Sequence, residues 1–417
     1  MTPLKFLLDK IDKLRIWGVK GAFNYLARIC TPDRNRRFLI ENAKRNPMTP
    51  TRGITLLADM TQRSSLSKVM RDLAAKLKDV GIPFQVYNIG KRDDIFFSDL
   101  KDLVTPVDTF RILKYNHVVG MQAYPFVRSL PLQYARIMFW EFSSGLLEYD
   151  CSLCNAETVI AMSDFNAEVF RRILPAKISV QKMLYPFIFP PKTMPSPKAI
   201  RHQYSIEPDD FVVFFNFSYG SSFHRKNPNG AMLAFARAFG NTPNAKLLFK
   251  TNDSTAHERE HLLLKSLANE LGIGQRFTTI DTYMPTADIY GLTAACDVYL
   301  SLHRGEGFGL GVAEAMSLGK PVVVTDYSST TEFCKSDSAI LVPYHIVDIP
   351  RKMRDNPCYA KVKTWAEPDI DAAATALRNL YDHPEKRHQL GESARRFITN
   401  YFSAENFRKS IEKFLAP

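Results

Sequence analysis

The chain has 417 residues, 45% of them hydrophobic and 24% charged, with a formal net charge of +12. That length implies two or three domains, and that composition an ordinary apolar core. No apolar run approaches the ~20 residues of a membrane-spanning helix. The opening MTPLKFLLDKIDKL does not read as a secretory signal, because charges break its apolar stretch and no small-residue cleavage site follows.

Residues 1–50 hold eleven Lys or Arg against four acids, so this stretch alone contributes +7. Leu4, Leu7, Ile11, Leu14 and Trp17 recur at three- and four-residue steps, which puts them on one face of a helix. Gly18 and Gly21 interrupt the stripe, and Val19, Phe23, Leu26 and Cys30 resume it. A basic amphipathic helix of this kind either lies on an anionic membrane surface or packs on the protein's own first domain. From Gly53 the pattern becomes short apolar runs alternating with helical stretches: GITLLAD, a helix through SLSKVMRDLAAKLKDVG, then FQVYNI, RILKYN, ARIMFW, TVIAM, a helix at FNAEVFRRIL and ISVQKM. Strands alternating with helices predict a parallel sheet covered on both faces.

Five prolines in residues 185–200 rule out helix or central strand there and mark an interdomain linker. A second series follows, with FVVFFNF, a helix after Asn227, AKLLFK, a helix at EREHLLLKSLANEL, RFTTI, a helix after Pro285, DVYLSL and KPVVVT. From Asp369 the chain reads as helical. The expected organisation is a basic extension over 1–50, a first α/β domain over 51–195, a second over 196–400, and a final helix over 401–417 that packs back on the first domain. The six cysteines are scattered, and the chain lacks a secretion signal, so free thiols in a reducing compartment are expected. The pair Cys151 and Cys154 has no second pair to complete a zinc site and reads as two ordinary thiols.

Residues 300–326 read LSLHRGEGFGLGVAEAMSLGKPVVVTD. A strand ends, a glycine turn follows, and a helix starts, which is where a parallel α/β sheet binds ligands. Free N–H groups at a helix start favour an anion such as a phosphate. Gly307, Gly309 and Gly311 allow the backbone to approach closely. Glu306 lies before the helix, and Glu314 lies one to two turns inside it, where a carboxylate could accept two hydrogen bonds from a vicinal diol.

The stretch resembles the E-x7-E motif of the GT-B glycosyltransferases of family 4, in its common form EGFGLxxxEAMxxGKPVV. Residues 214–239 resemble the opening of that family's donor domain. Residues 139–170, where Trp140 and Glu141 precede a Ser163-x-Phe165 segment, resemble the late acceptor domain. The resemblance implies an α/β GT-B fold, in which two Rossmann-like domains face a cleft that takes a UDP- or GDP-linked sugar. It implies that Glu306 contacts the donor sugar's hydroxyls with amides near Phe308 and Gly309. The amides near Leu310 and Gly311 would hold the diphosphate, and Glu314 both ribose hydroxyls. Lys226 matches the family's diphosphate lysine. The partner arginine of the family is replaced here by SYGSS at residues 218–222, which leaves Arg225 or Arg304 to supply the second cation.

The first domain departs further from the pattern. DMTQRSSLSK stands where the family carries a glycine-rich loop, and Arg63 within it faces either an acceptor phosphate or solvent. His117, in KYNHVVG, is the nearest candidate for the family's cleft histidine, and Glu141 is a second strand-end acid. Asp369 and Asp371 mimic a metal-binding D-x-D, but they precede a helical run and read as a helix cap. No metal is expected. The resulting expectation is a retaining glycosyltransferase without a protein nucleophile. It would act at the cytoplasmic membrane face on a lipid-linked surface-polysaccharide or lipopolysaccharide precursor, with residues 1–50 on the anionic surface. The alternatives are a nucleotide-sugar epimerase or phosphorylase of the same architecture, or a non-catalytic nucleotide-sugar-binding protein. Nucleic acid is not expected as a partner, since no reader motif or stacking platform is visible.

Overall fold

The structure is a computed structural model that describes residues 53–58, 60, 65–88, 115, 117–121, 133–145, 156–353 and 361–416. The basic segment 1–50, Arg63 and the pair Cys151 and Cys154 lie outside the described residues. No helix among the described residues is long and apolar enough to cross a membrane.

The first domain is built on β1 (Ile54–Ala58), β2 (Phe84–Asn88), β3 (His117–Gly120), β4 (Gln133–Met138), β5 (Thr158–Ala161) and β6 (Ser179–Lys182), with α1 (Ser65–Asp79) and α2 (Asp164–Ile173). The strands are all parallel, in the order β2-β1-β3-β4-β5-β6. The start of α2 is set by Ser163, whose hydroxyl accepts from Asn166 N at 3.1 Å and so satisfies an orphan amide.

After a stretch without helix or strand over residues 183–196, α3 (Pro197–Gln203) leads into the second domain. Its sheet holds β7 (Phe211–Asn216), β8 (Ala245–Thr251), β9 (Phe277–Asp281), β10 (Val298–Ser301), β11 (Val322–Thr325) and β12 (Ile340–Val342). The order is β12-β11-β10-β7-β8-β9, again parallel, which is the doubly wound arrangement whose direction reverses between β7 and β10. The runs FVVFF, VYLS and VVVT are buried along their length, as interior strands covered on both faces must be. The connecting helices are α4 (Phe223–Lys226), α5 (Pro228–Phe239), α6 (Glu258–Glu270), α7 (Thr286–Ala295) and α8 (Leu310–Ser317).

An antiparallel pair without a counterpart in the sequence analysis precedes the expected helical run, β13 (Tyr344–Asp348) with β14 (Thr364–Pro368). Beyond it come α9 (Ile370–Asp382), α10 (Pro384–Tyr401) and α11 (Ala404–Phe414). Asp369 caps α9, accepting from Asp371 N and Ala372 N, both at 2.9 Å.

The two domains share apolar core. One buried cluster includes Met60, Val69 and Tyr185 of the first domain together with Phe308, Val312 and Phe333 of the second. The Tyr185 and Phe308 rings stack at 4.0 Å. Phe407, Ile411 and Phe414 of α11 join the same cluster, and Ser410 Oγ accepts from Leu184 N at 2.8 Å. Each such buried side chain contributes roughly 2 kcal/mol of apolar burial. The cleft is therefore closed at its base by packing and not by a loose tether.

Candidate active site

The direction of the second sheet reverses between β7 and β10, and strands diverging at that point leave a crevice beyond their C-terminal ends. A cavity of about 250 Å³ occupies it, lined by Asn216 and Ser301 at the two strand ends and by residues 306–312. Leu66, Val69, Phe139, Glu141 and Tyr185 of the first domain form the facing wall. The sheet topology thus brings together residues that are remote in sequence.

The glycine turn ends at Gly309, whose φ of +92° lies in the region that side chains avoid, and a Cβ there would sit 2.4 Å from Thr330 Cγ2. No side chain caps the start of α8, so its first turn presents backbone amides to the cavity through Leu310 and Gly311. This is an anion-binding arrangement, with a positive helix end beside two cations.

Those cations are Lys226 and Arg225. Lys226 Nζ lies 2.5 Å from Glu306 Oε1, and Arg225 Nη1 lies 3.5 Å from Glu306 Oε2. Both arrive on α4, a single turn ended by Asn227 in the left-handed conformation, whose Oδ1 then caps α5 through Gly230 N at 3.1 Å. Glu306 is buried, which by itself would raise its pKa, but Lys226 and Arg225 more than offset this and hold it at about 2. Its backbone is pinned by Ser328, which accepts from Glu306 N at 2.8 Å.

Glu314 is placed differently. It is buried in the second turn of α8, outside the cavity lining, among Tyr185, Tyr290 and Tyr299. No described residue donates a hydrogen bond to its carboxylate. Burial pushes its pKa up to about 7, eased by Lys68 and reinforced by Asp72, two residues of α1 that pair with each other at 2.6 Å.

Two expected site residues are corrected. Arg304 does not face the cavity. Its guanidinium forks onto Glu367 with two 2.6 Å bonds, donates to His224 O and stacks on Trp365 at 4.6 Å. Glu367 and Trp365 belong to β14, a strand with no signal in the sequence reading, so the partner that captures Arg304 could not be anticipated. Arg225 is the arginine beside Lys226. His117 also lies elsewhere. The sequence pattern puts His117 at the exit of a strand, but β3 begins at His117, in register with Ile54 and Gln133. It therefore sits at the N-terminal end of the sheet, away from the cleft, with its ring 6.0 Å from Phe414.

One buried network was not foreseen. Asn166 grips Trp140 on both sides, with Oδ1 accepting from Trp140 N and Nδ2 donating to Trp140 O, each at 2.9 Å. The same Nδ2 donates to Ser329 Oγ at 2.8 Å, and Ser163 Oγ bonds Ser329 Oγ at 2.9 Å. Residues noticed separately in the sequence, the Trp140 and Glu141 pair and the Ser163-x-Phe165 segment, are thereby joined to the turn that holds Glu306.

Two parallel doubly wound domains facing such a cleft have the GT-B architecture. Residues 198–355 match the family described as glycosyl transferases, group 1. A putative glycosyltransferase of Sulfolobus islandicus filamentous virus (isolate Iceland/Hveragerdi) is 29% identical over 144 residues, 33% of this chain and 39% of the viral protein. The matched segment thus spans well under half of that relative. Among solved structures, Anabaena Alr3699/HepE in complex with UDP and glucose superposes with a TM-score of 0.62 at 16% identity, covering 88% of this chain and 99% of that one. Sucrose-phosphate synthase from Thermosynechococcus elongatus gives 0.61 at 15% identity, over 87% and 98%. WaaG, a glycosyltransferase involved in lipopolysaccharide biosynthesis, gives 0.57 at 13% identity, over 87% and 98%. At these identities the structural likeness establishes the fold.

Proposed function

We propose that the protein is a glycosyltransferase that moves a sugar from a UDP- or GDP-linked donor to a hydroxyl of a glycan acceptor, with retention at the anomeric carbon. The observation that carries this reading is the uncapped start of α8 behind Gly309, opening beside Lys226 and Arg225 at the switch point of the second sheet. In this reading the first-turn amides and the two cations hold the diphosphate and offset the charge that develops on the leaving nucleotide. Glu306, ionised at any physiological pH, accepts hydrogen bonds from the donor sugar, and Glu314 accepts them from the ribose. The complexes of Anabaena HepE with UDP and with UDP-glucose support a nucleotide-sugar donor for this fold.

The acceptor is proposed to be a lipid-linked surface-glycan precursor, reached from the cytoplasmic membrane face through the +7 segment 1–50. Liposome flotation checks that part. Loss of anionic-vesicle binding on deleting residues 1–50 is expected, and undiminished binding overturns it. The donor site is tested by thermal shift with UDP, GDP, ADP and dTDP on wild type and Glu314→Ala. A ribonucleotide should stabilise the wild type and not the variant. Absence of any shift would return the glycine turn to a scaffolding role.

A further inference from the structure

Glu141 has no role in the reading above, yet among the described residues it is the carboxylate that the first domain places in the cavity wall. It follows β4 by three residues and is held by its neighbours. Asn166 clamps Trp140 from both sides and bonds Ser329, while Ser328 holds Glu306 N. This buried chain of hydrogen bonds fixes Glu141 relative to Glu306 across the domain boundary.

The glycine turn is shaped to the same neighbour. A Cβ on Gly305 would lie 2.4 Å from the Glu141 carbonyl oxygen, and one on Gly307 would lie 3.1 Å from Phe139 Cβ and 3.8 Å from Glu141 Oε1. Glycine at these two positions lets the second domain close onto the Glu141 segment. Arg225, 4% exposed, then stands between two carboxylates, Glu306 at 3.5 Å and Glu141 at 3.8 Å. Two cations and two carboxylates give this cluster a net charge of zero. A dianionic ligand must compete with the protein's own carboxylates for the same guanidinium.

We propose that Glu141 is a donor-recognition residue, which competes with the donor's diphosphate for Arg225 and accepts hydrogen bonds from hydroxyls of the attached sugar. The inference rests on the donor-site reading. Both claims follow from position. A carboxylate is acceptor-only and takes up to four hydrogen bonds, so once diphosphate holds Arg225 its natural partners are the hydroxyls carried beyond the phosphates. Replacing it by glutamine relieves the competition but leaves those hydroxyls one neutral amide oxygen in place of a charged carboxylate, a weaker acceptor. A donor carrying a sugar therefore gains its advantage over the bare nucleotide through Glu141.

The test is calorimetric titration of the full chain, wild type and Glu141→Gln, with the pairs UDP and UDP-glucose, and GDP and GDP-mannose. Glu141→Gln should bind the bare diphosphate about three- to tenfold more tightly. Its preference for the sugar conjugate over the diphosphate should shrink by a similar factor. Glu141→Asp, which keeps the charge but withdraws it from Arg225, should show the first effect more weakly, and it serves as the measured variant if Glu141→Gln does not fold. Unchanged or weakened diphosphate binding in a folded variant overturns the inference while the donor site stands. Failure of the wild type and both variants to bind any of the four ligands overturns the donor-site reading and this inference together.

Discussion

Glu306 and Glu314 flank the same helix start and are both buried, but they differ in charge state, because Glu306 is paired directly with Lys226 and Arg225 whereas Lys68 acts on Glu314 without a direct ion pair. Glu306 has its pKa held at about 2 by Lys226 and Arg225, below its ordinary 4.5. Its stabilising contribution is complete above pH 4.5 and is lost as pH falls from 4.5 towards 2. Glu306→Gln should therefore lower the melting temperature at pH 7, and the difference from wild type should narrow below pH 4.5. Glu314 has the opposite sign. Its folded pKa of about 7 lies above 4.5, so the folded state favours the protonated form, and a cost grows as pH rises from 4.5 to 7. Glu314→Gln should raise the melting temperature at pH 8, by about 1–3 kcal/mol in stability, and change little at pH 4.5. Parallel unfolding scans across pH read both effects. His303, fully buried three residues before Glu306, is held in place by the protein's own groups. Burial pushes its pKa down to about 4, and Ser301 and Tyr327 hold its ring.

The glycine turn works as an element because backbone geometry and interdomain clearance coincide in it. Gly309 combines a φ of +92° with a neighbour 2.4 Å from any Cβ, whereas Gly81 has a φ of +70° in open space. Gly81→Ala should cost only conformational strain, about 1 kcal/mol. Gly309→Ala should cost about 2–4 kcal/mol, because Thr330 must also move, and the shift of the turn should abolish stabilisation by nucleotide. Chemical denaturation and thermal shift measure the two parts separately. The cap of α9 is a simpler case. Asp369→Ala removes the acceptor for two amides and should cost about 1 kcal/mol without affecting nucleotide binding, as expected of a cap that only resembles a metal motif.

For the whole molecule, the decisive contact beyond the apolar core is Glu332. Its carboxylate accepts from Asp164 N at 2.8 Å and Lys182 Nζ at 2.5 Å, and also from the Tyr401 hydroxyl. One side chain of the second domain thus ties α2, β6 and α10 together, and it lies four residues past Ser328, the partner of Glu306. Glu332→Ala leaves Lys182 with only the exposed Asp164 and should lower stability by about 2–4 kcal/mol. The loss should be accompanied by faster proteolysis in the linker over residues 183–196, because the cleft would open more readily. Unaltered cleavage there would mean that the shared core of Tyr185, Phe308 and Phe402 holds the domains without it.

Local signals in the sequence determined most of the elements and the place of the site. Short β-branched and aromatic runs such as FVVFF and VVVT favour buried strands, Asn227 followed by Pro228 favours a helix start, and alternating glycines between a strand and a helix mark a ligand-binding turn. Glu306 stands out beside that turn, whereas Lys226 is named only through the family resemblance, and the sequence leaves Arg225 and Arg304 as equal candidates for the second cation. Partners that come from elsewhere in the chain were decided by the tertiary structure. Arg304 reads as a free cation until β14 brings Glu367 and Trp365 to it. His117 reads as a strand exit until register makes it the strand's first residue, a one-end error that periodicity cannot detect because it carries no direction. Glu141 is one of two strand-end candidates in the sequence, and the tertiary structure puts it in the cavity wall, where Asn166, bonded to Ser329 of the second domain, holds the Trp140 backbone beside it. Side-chain chemistry is local, but electrostatic and hydrogen-bonding partners are set by distance in space, and the residues that meet at this cleft, such as Glu141, Arg225 and Glu306, are about 80 or more residues apart in the chain.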